Sequence, residues 1–148
     1  MLRVYIDTSV VGGCLDKEFA ETSQALMRMA ESGQIVLLVS NVLVDELNAA
    51  PDAVQDVLAT MPATHMELVG EPAEAQKLRD AYLVAAIVTA THRNDALHVA
   101  IATVARADMI VSWNFKHIVH HDKIRGFNAV NEREGYPPLA IYSPLEVV

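Results

Sequence analysis

The stretch LRVYIDTS, Leu2 to Ser9, decides how the chain is read. Leu2 to Ile6 is a β-rich apolar run of the kind that fills a strand covered on both faces. Asp7 follows it directly, and Thr8 and Ser9 then suit a tight strand-to-helix turn. An acid in that place can cap the next helix. It also emerges at the carboxyl edge of a sheet.

Similar short runs recur outward from this stretch. Ile35 to Val39 (IVLLV) is a second buried strand, Met66 to Val69 a weaker third, Met109 to Ser112 a fourth and Leu139 to Tyr142 a fifth. Helical patterns lie between them. From Asp16 to Ser32, the residues Phe19, Ser23, Leu26, Met27 and Ala30 share one stripe, and Gly33 is placed to end the helix. Ser40 or Asn41 can cap a helix to about Ala50. Pro51 starts a short helix that stops before Pro62. Two longer helices are expected, from about Pro72 to Val88 and from about Asn94 to Ala105, the first with proline in its opening turn. Phe115 to Glu134 should be mostly helical. Strands alternating with helices imply parallel β-α-β units. The expectation is therefore an α/β fold, a three-layer α/β/α sandwich with a central parallel sheet, formed by residues 1–148 as one domain without repeats or linkers.

The 148 residues are 52 % hydrophobic, which argues against disorder. No apolar run reaches the roughly 18 residues that cross a membrane. The start lacks the pattern of a secretory signal, and Cys14 has no second cysteine to pair with. A cytoplasmic protein without membrane contact is expected. Eleven basic residues against 19 acidic ones give a net charge of −8, which disfavours holding long nucleic acid by bulk charge. A small site that holds phosphate through a metal ion remains compatible with it.

Four polar residues stand where such a site would form. Asp7 ends the first strand. On the Ser40–Ala50 helix, at about 100° per residue, Leu43, Leu47 and Ala50 define the buried stripe. Glu46 falls beside that stripe and Asp45 nearly opposite it. Glu46 thus borders the core, where a carboxylate needs a partner. Asp95, in NDALHVAIA, occupies a first helical turn, where the helix dipole favours negative charge. His98, at i+3 from Asp95, shares a face with it; alone, it reads as a packed or hydrogen-bonded histidine. Asn114, in SWNF, follows the fourth strand, so its amide can face a metal-bound water or a phosphate. Three carboxylates brought together are costly without a cation. Oxygen donors without cysteine favour Mg²⁺ or Mn²⁺.

Taken in order, YIDTSVVGG, VDEL, NDALHVAIA and SWNFKHIV resemble the PIN-domain family, and within it the VapC-like toxins of type II toxin–antitoxin pairs. The closing IRGFNAVNEREGYPPLAIYSPLEV resembles the same subgroup. The resemblance spans essentially the whole chain. It implies a metal-dependent ribonuclease whose acids map onto Asp7, Glu46 and Asp95. Asn114 stands near the place where many members carry a fourth acid, which implies a lower site charge and fewer metals. Thr8 or Ser9 corresponds to the hydroxyl residue beside the first acid. The resemblance also implies a homodimer and an antitoxin that inserts a segment into the acidic cleft.

The expected chemistry is in-line hydrolysis of an RNA phosphodiester by water, leaving a 5′-phosphate and a 3′-hydroxyl. Asp7 and Asp95 would hold the ion, and Glu46 would bind it directly or through water. The stretch KHIVHHDKIR, with Lys116, His117, His120, His121, Lys123 and Arg125 against the single acid Asp122, can form a rim that contacts phosphates without reading sequence. Lys116 and His117 lead it, with Thr8 and Ser9 as further substrate contacts. A zinc site of His117, His120 and His121 is the weaker reading of that stretch, lacking a cysteine or an HExxH pattern. The alternative function is a weakly active or inactive RNA- or protein-binding module of the same fold, with Asn114 marking a decayed site. Phosphotransfer fits poorly: an aspartyl-phosphate phosphatase needs an acid two residues after Asp7, where Ser9 stands.

Overall fold

A computed structural model describes residues 1–148. Its five strands are β1 Leu2–Ile6, β2 Ile35–Ser40, β3 Met66–Val69, β4 Met109–Val111 and β5 Ala140–Tyr142. They form one sheet in the order β3-β2-β1-β4-β5, every pairing parallel. The helices are α1 Thr8–Gly13, α2 Ala20–Glu31, α3 Asn41–Asn48, α4 Asp52–Ala59, α5 Ala73–Val84, α6 Arg93–Val104, α7 His121–Arg133 and α8 Pro144–Val147. No helix is long and apolar enough to cross a membrane.

Each strand sends alternate residues to two cores, as a pleated sheet covered on both faces requires. Val4, Ile6, Leu37, Val39 and Val111 meet α1, α2, α3 and α4 residues such as Val10, Leu26, Leu43 and Leu58. Tyr5, Leu38 and Ile110 meet α5, α6 and α7 through Leu78, Tyr82, Ala100 and Phe127. Helix α6 is buried along Ala96–Thr103, and its alanines let it lie close to the sheet. The expected three-layer α/β/α sandwich is therefore what forms.

Strand order reverses at β1. The chain steps from β1 to β2 and β3 on one side, then crosses back to β4 and β5 on the other. The crevice beyond the carboxyl ends of β1 and β4 is the switch point, where ligands of open parallel sheets gather. Asp7 and Ser112 flank it.

Local signals set most boundaries. Ser40 caps α3 by accepting from Leu43 N–H at 3.2 Å. Gly33, at φ +78°, stops α2 in the left-handed conformation that glycine tolerates best. Two expectations need correction. Helix α5 ends at Val84, not near Val88, because Ala86 turns left-handed at φ 58° while the Ala86 and Ile87 amides fold back onto Leu83 and Tyr82. A non-glycine residue there gives no sequence warning. The segment after Trp113 is also not continuous helix. Residues 115–118 form a turn, His120 is extended, and α7 begins at His121. The Asn114 side chain sets that turn by accepting from His117 N–H at 2.9 Å.

Candidate functional site

Asp7 is buried at the end of β1 and held at both carboxylate oxygens. Ser9 Oγ donates to Oδ1 and Ser112 Oγ donates to Oδ2, each at 2.6 Å. Trp113 N–H donates to Ser9 Oγ at 2.9 Å, and Asn114 N–H to Ser112 Oγ at 2.9 Å. The segment leaving β4 is thereby fastened to the one leaving β1. Burial pushes the Asp7 carboxyl above the ordinary carboxylate range. His98 and the two serine hydroxyls oppose that rise, and the charge of Asp95 adds to it. Asp7 and Asp95 are thus electrostatic neighbours.

Glu46 reaches the site through a buried histidine. His98 Nε2 lies 2.5 Å from Glu46 Oε1, and His98 Nδ1 lies 2.6 Å from the Tyr5 hydroxyl. Tyr5 continues to Ser40 Oγ at 2.8 Å. The Nε2–H tautomer satisfies this chain: Nε2–H donates to Glu46, the Tyr5 O–H donates to Nδ1, and Ser40 O–H donates to Tyr5. Burial drives the Tyr5 hydroxyl pKa far upward, so it stays a donor. Glu46 is half-buried and Asp45 exposed, as the helical arithmetic required.

Asp95 sits in the first turn of α6 with its side chain 25 % exposed, and His92 Nδ1 lies 3.7 Å from its Oδ2. The His92 ring stacks on that of His117, centroids 3.6 Å apart. Burial and the neighbouring His92 lower the His117 pKa. The group whose donor atoms all lie within 4.8 Å of one another is His92, Asp95 and His117, not the three acids. Of the basic stretch, Lys116, His120, His121 and Arg125 are exposed, whereas Lys123 donates to Ile87 O at 2.7 Å and is tied down.

The oxygen donors still suit a hard cation. Each Asp7 oxygen receives one hydroxyl hydrogen and keeps a second lone pair. The histidine bond uses only Oε1 of Glu46. Thr8 Oγ1 is buried beside Asp7 without a hydrogen-bond partner. Asn114 gives its Oδ1 to the His117 amide, so its NH₂ is the end left for a ligand. Sequence reasoning named Asp7, Glu46, Asp95, Asn114, Thr8, Ser9, Lys116 and His117. It passed over Tyr5, Ser40 as a network member, Ser112 and His92. Ser112 closes the apolar run MIVS, and that position was its only signal.

A model of the PIN domain matches residues 3–116 of the chain. No curated protein matches it in sequence. Among solved structures, VapBC2 from Rickettsia felis bound to a promoter DNA fragment is similar with TM-score 0.61 and 13 % identity, covering 96 % of this chain and 98 % of that one. DNA-bound VapBC from Salmonella typhimurium is similar at TM-score 0.58 and 16 % identity, covering 97 % and 99 %. Mycobacterium tuberculosis VapC20, a sarcin–ricin loop cleaving toxin, gives TM-score 0.57 and 16 % identity over 92 % and 98 %. At these identities the likeness is one of fold.

Proposed function

This chain belongs to the PIN-domain family, and from that premise we propose that it is a metal-dependent endoribonuclease serving as the toxin of a type II toxin–antitoxin pair. What supports the proposal is that Asp7, at the switch point of the sheet, feels the charges of Asp95 and of His98, the histidine that bonds Glu46. Asp7 and Asp95 would hold Mg²⁺ or Mn²⁺, with Glu46 a third oxygen donor. Such an ion supplies Lewis-acid activation of water and neutralises charge on a scissile phosphate.

The chain's own residues do the positioning. Ser9 and Ser112 fix the rotation of the Asp7 carboxylate and favour its ionised form, opposing in part the effect of burial. His98 fixes Glu46 in the same way. The Asn114 NH₂ and exposed Lys116 are the phosphate-facing donors. His117 supplies an imidazole at the same rim. Two of the similar structures are VapBC assemblies, and on that likeness the partner here is a cognate antitoxin that covers the acidic cleft with a cationic segment. A homodimer is the assembly we propose.

Asn114 in place of a fourth acid favours one second reading, a PIN-fold module with little catalysis. A cleavage assay on an RNA pool with Mn²⁺ separates the two. Wild-type cleavage that disappears with EDTA, with Asp7→Asn and with Asp95→Ala supports the nuclease. A wild-type protein that neither cleaves nor gains thermal stability from Mn²⁺ refutes it.

A further inference from the structure

A second donor set shares the rim of the acidic site. His92 closes the short 3-10 turn before α6, Asp95 opens α6, and His117 lies in the turn after β4. One donor atom from each lies within 4.8 Å of the other two. The imidazoles stack at 3.6 Å between centroids with 23° between their planes. All three residues are half-buried, so an ion could reach them from solvent. The local hydrogen bond of His117 runs through its backbone N–H, so it does not fix the ring.

Two imidazoles and one carboxylate make a different kind of site from three acids. Imidazole suits zinc, nickel and copper and is a poor ligand for magnesium. Three protein donors leave a fourth position for water. Bonds of about 2.0–2.2 Å to a tetrahedral ion place donors about 3.4 Å apart. Half-exposed side chains can close that gap by small rotations about their χ angles.

We infer that His92, Asp95 and His117 bind zinc or a similar d-block divalent cation, and that this binding competes with the oxygen-donor site because Asp95 belongs to both. Zinc held there draws Asp95 away from Asp7 and Glu46. The competition rests on the nuclease reading, but zinc binding does not. Zinc would then act as an inhibitor of Mn²⁺-supported cleavage.

Calorimetric titration of the full chain with Zn²⁺, without RNA, tests the binding. One ion per chain is expected. His92→Gln and His117→Gln should each weaken it about tenfold or more, while the exposed His120→Gln and His121→Gln should not. Co²⁺ should show the visible absorption of a four-coordinate site in wild type and lose it in His92→Gln. Asp7→Asn should still bind zinc. Absence of zinc binding at about 100 μM, or affinity unchanged in both His92→Gln and His117→Gln, overturns the site. In cleavage assays, added Zn²⁺ should suppress the Mn²⁺-supported rate by a smaller factor in His92→Gln than in wild type; equal suppression overturns the competition. Intact zinc binding in a chain that never cleaves RNA would sink the nuclease reading and leave the site standing.

Discussion

Tyr5→Phe removes one oxygen from the middle of the buried chain Ser40–Tyr5–His98–Glu46. Two hydrogen bonds go, at 2.8 and 2.6 Å. His98 Nδ1 becomes a buried acceptor with no donor, and the Ser40 hydroxyl loses its acceptor. An unsatisfied buried polar group costs about 1–3 kcal/mol. Two such losses, softened by no longer burying the phenolic hydroxyl, sum to about 2–3 kcal/mol. For a chain of this length that lowers Tm by about 4–12 °C. The assay is urea and thermal denaturation of wild type, Tyr5→Phe, His98→Phe and the double variant. Because both residues share one bond, the double variant should fall short of the summed costs by about 1 kcal/mol or more. A Tyr5→Phe variant within about 0.5 kcal/mol of wild type, or strictly additive costs, would refute the network as a source of stability.

Other consequences follow from the same geometry. The Asp7 carboxyl is held above its ordinary range, chiefly by burial. The metal-free folded state therefore loses stability as pH rises from the ordinary carboxylate value through the raised folded one. Asp7→Asn should flatten that decline in EDTA and abolish any Mn²⁺-dependent rise in Tm, both visible by scanning calorimetry across pH; an unchanged pH profile contradicts the assignment. A Cβ at Gly13 would lie 2.6 Å from Ser23 Oγ and 2.9 Å from Trp113 Nε1, so Gly13→Ala should cost about 1–3 kcal/mol in urea denaturation. Arg3 pairs with Glu67 across a partly exposed surface, yet also donates to the Ala105 and Arg106 carbonyls just past the end of α6. Solvent screening discounts the ion pair, so Glu67→Gln should cost under about 0.5 kcal/mol while Arg3→Met costs about 1–2 kcal/mol; equal losses would contradict this division.

The layered architecture was legible because each strand is a short apolar run and some helices carry an end signal, such as Ser40 before α3 and Gly33 after α2. Glu46 could be separated from Asp45 because helical periodicity fixes which of two adjacent acids meets the core. Asp7 and Asp95 were visible from their places at element ends. Tyr5 was not. In a strand covered on both faces every residue is apolar-flanked, so nothing in the sequence tells which layer the phenol enters. The course of α5 was hidden because Ala86 adopts a conformation normally left to glycine. His98 was placed on the Asp95 face, but tertiary packing turned it toward Tyr5 and Glu46. Asp95 meets His92, three residues before it, and His117 instead, and nothing in the sequence signals that the distant His117 joins them.

The hydrogen-bonded chain closes on itself. Ser40 anchors the start of α3, and Glu46, at the other end of the chain of bonds, lies further along that same helix. The segment is therefore pinned twice, once directly to β1 at Tyr5 and once through His98 of α6, like a bracket with two screws. Fraying at its first turn and wandering of its acid should be one event, with hydrogen exchange at Leu43 N–H reporting how steadily Glu46 is held.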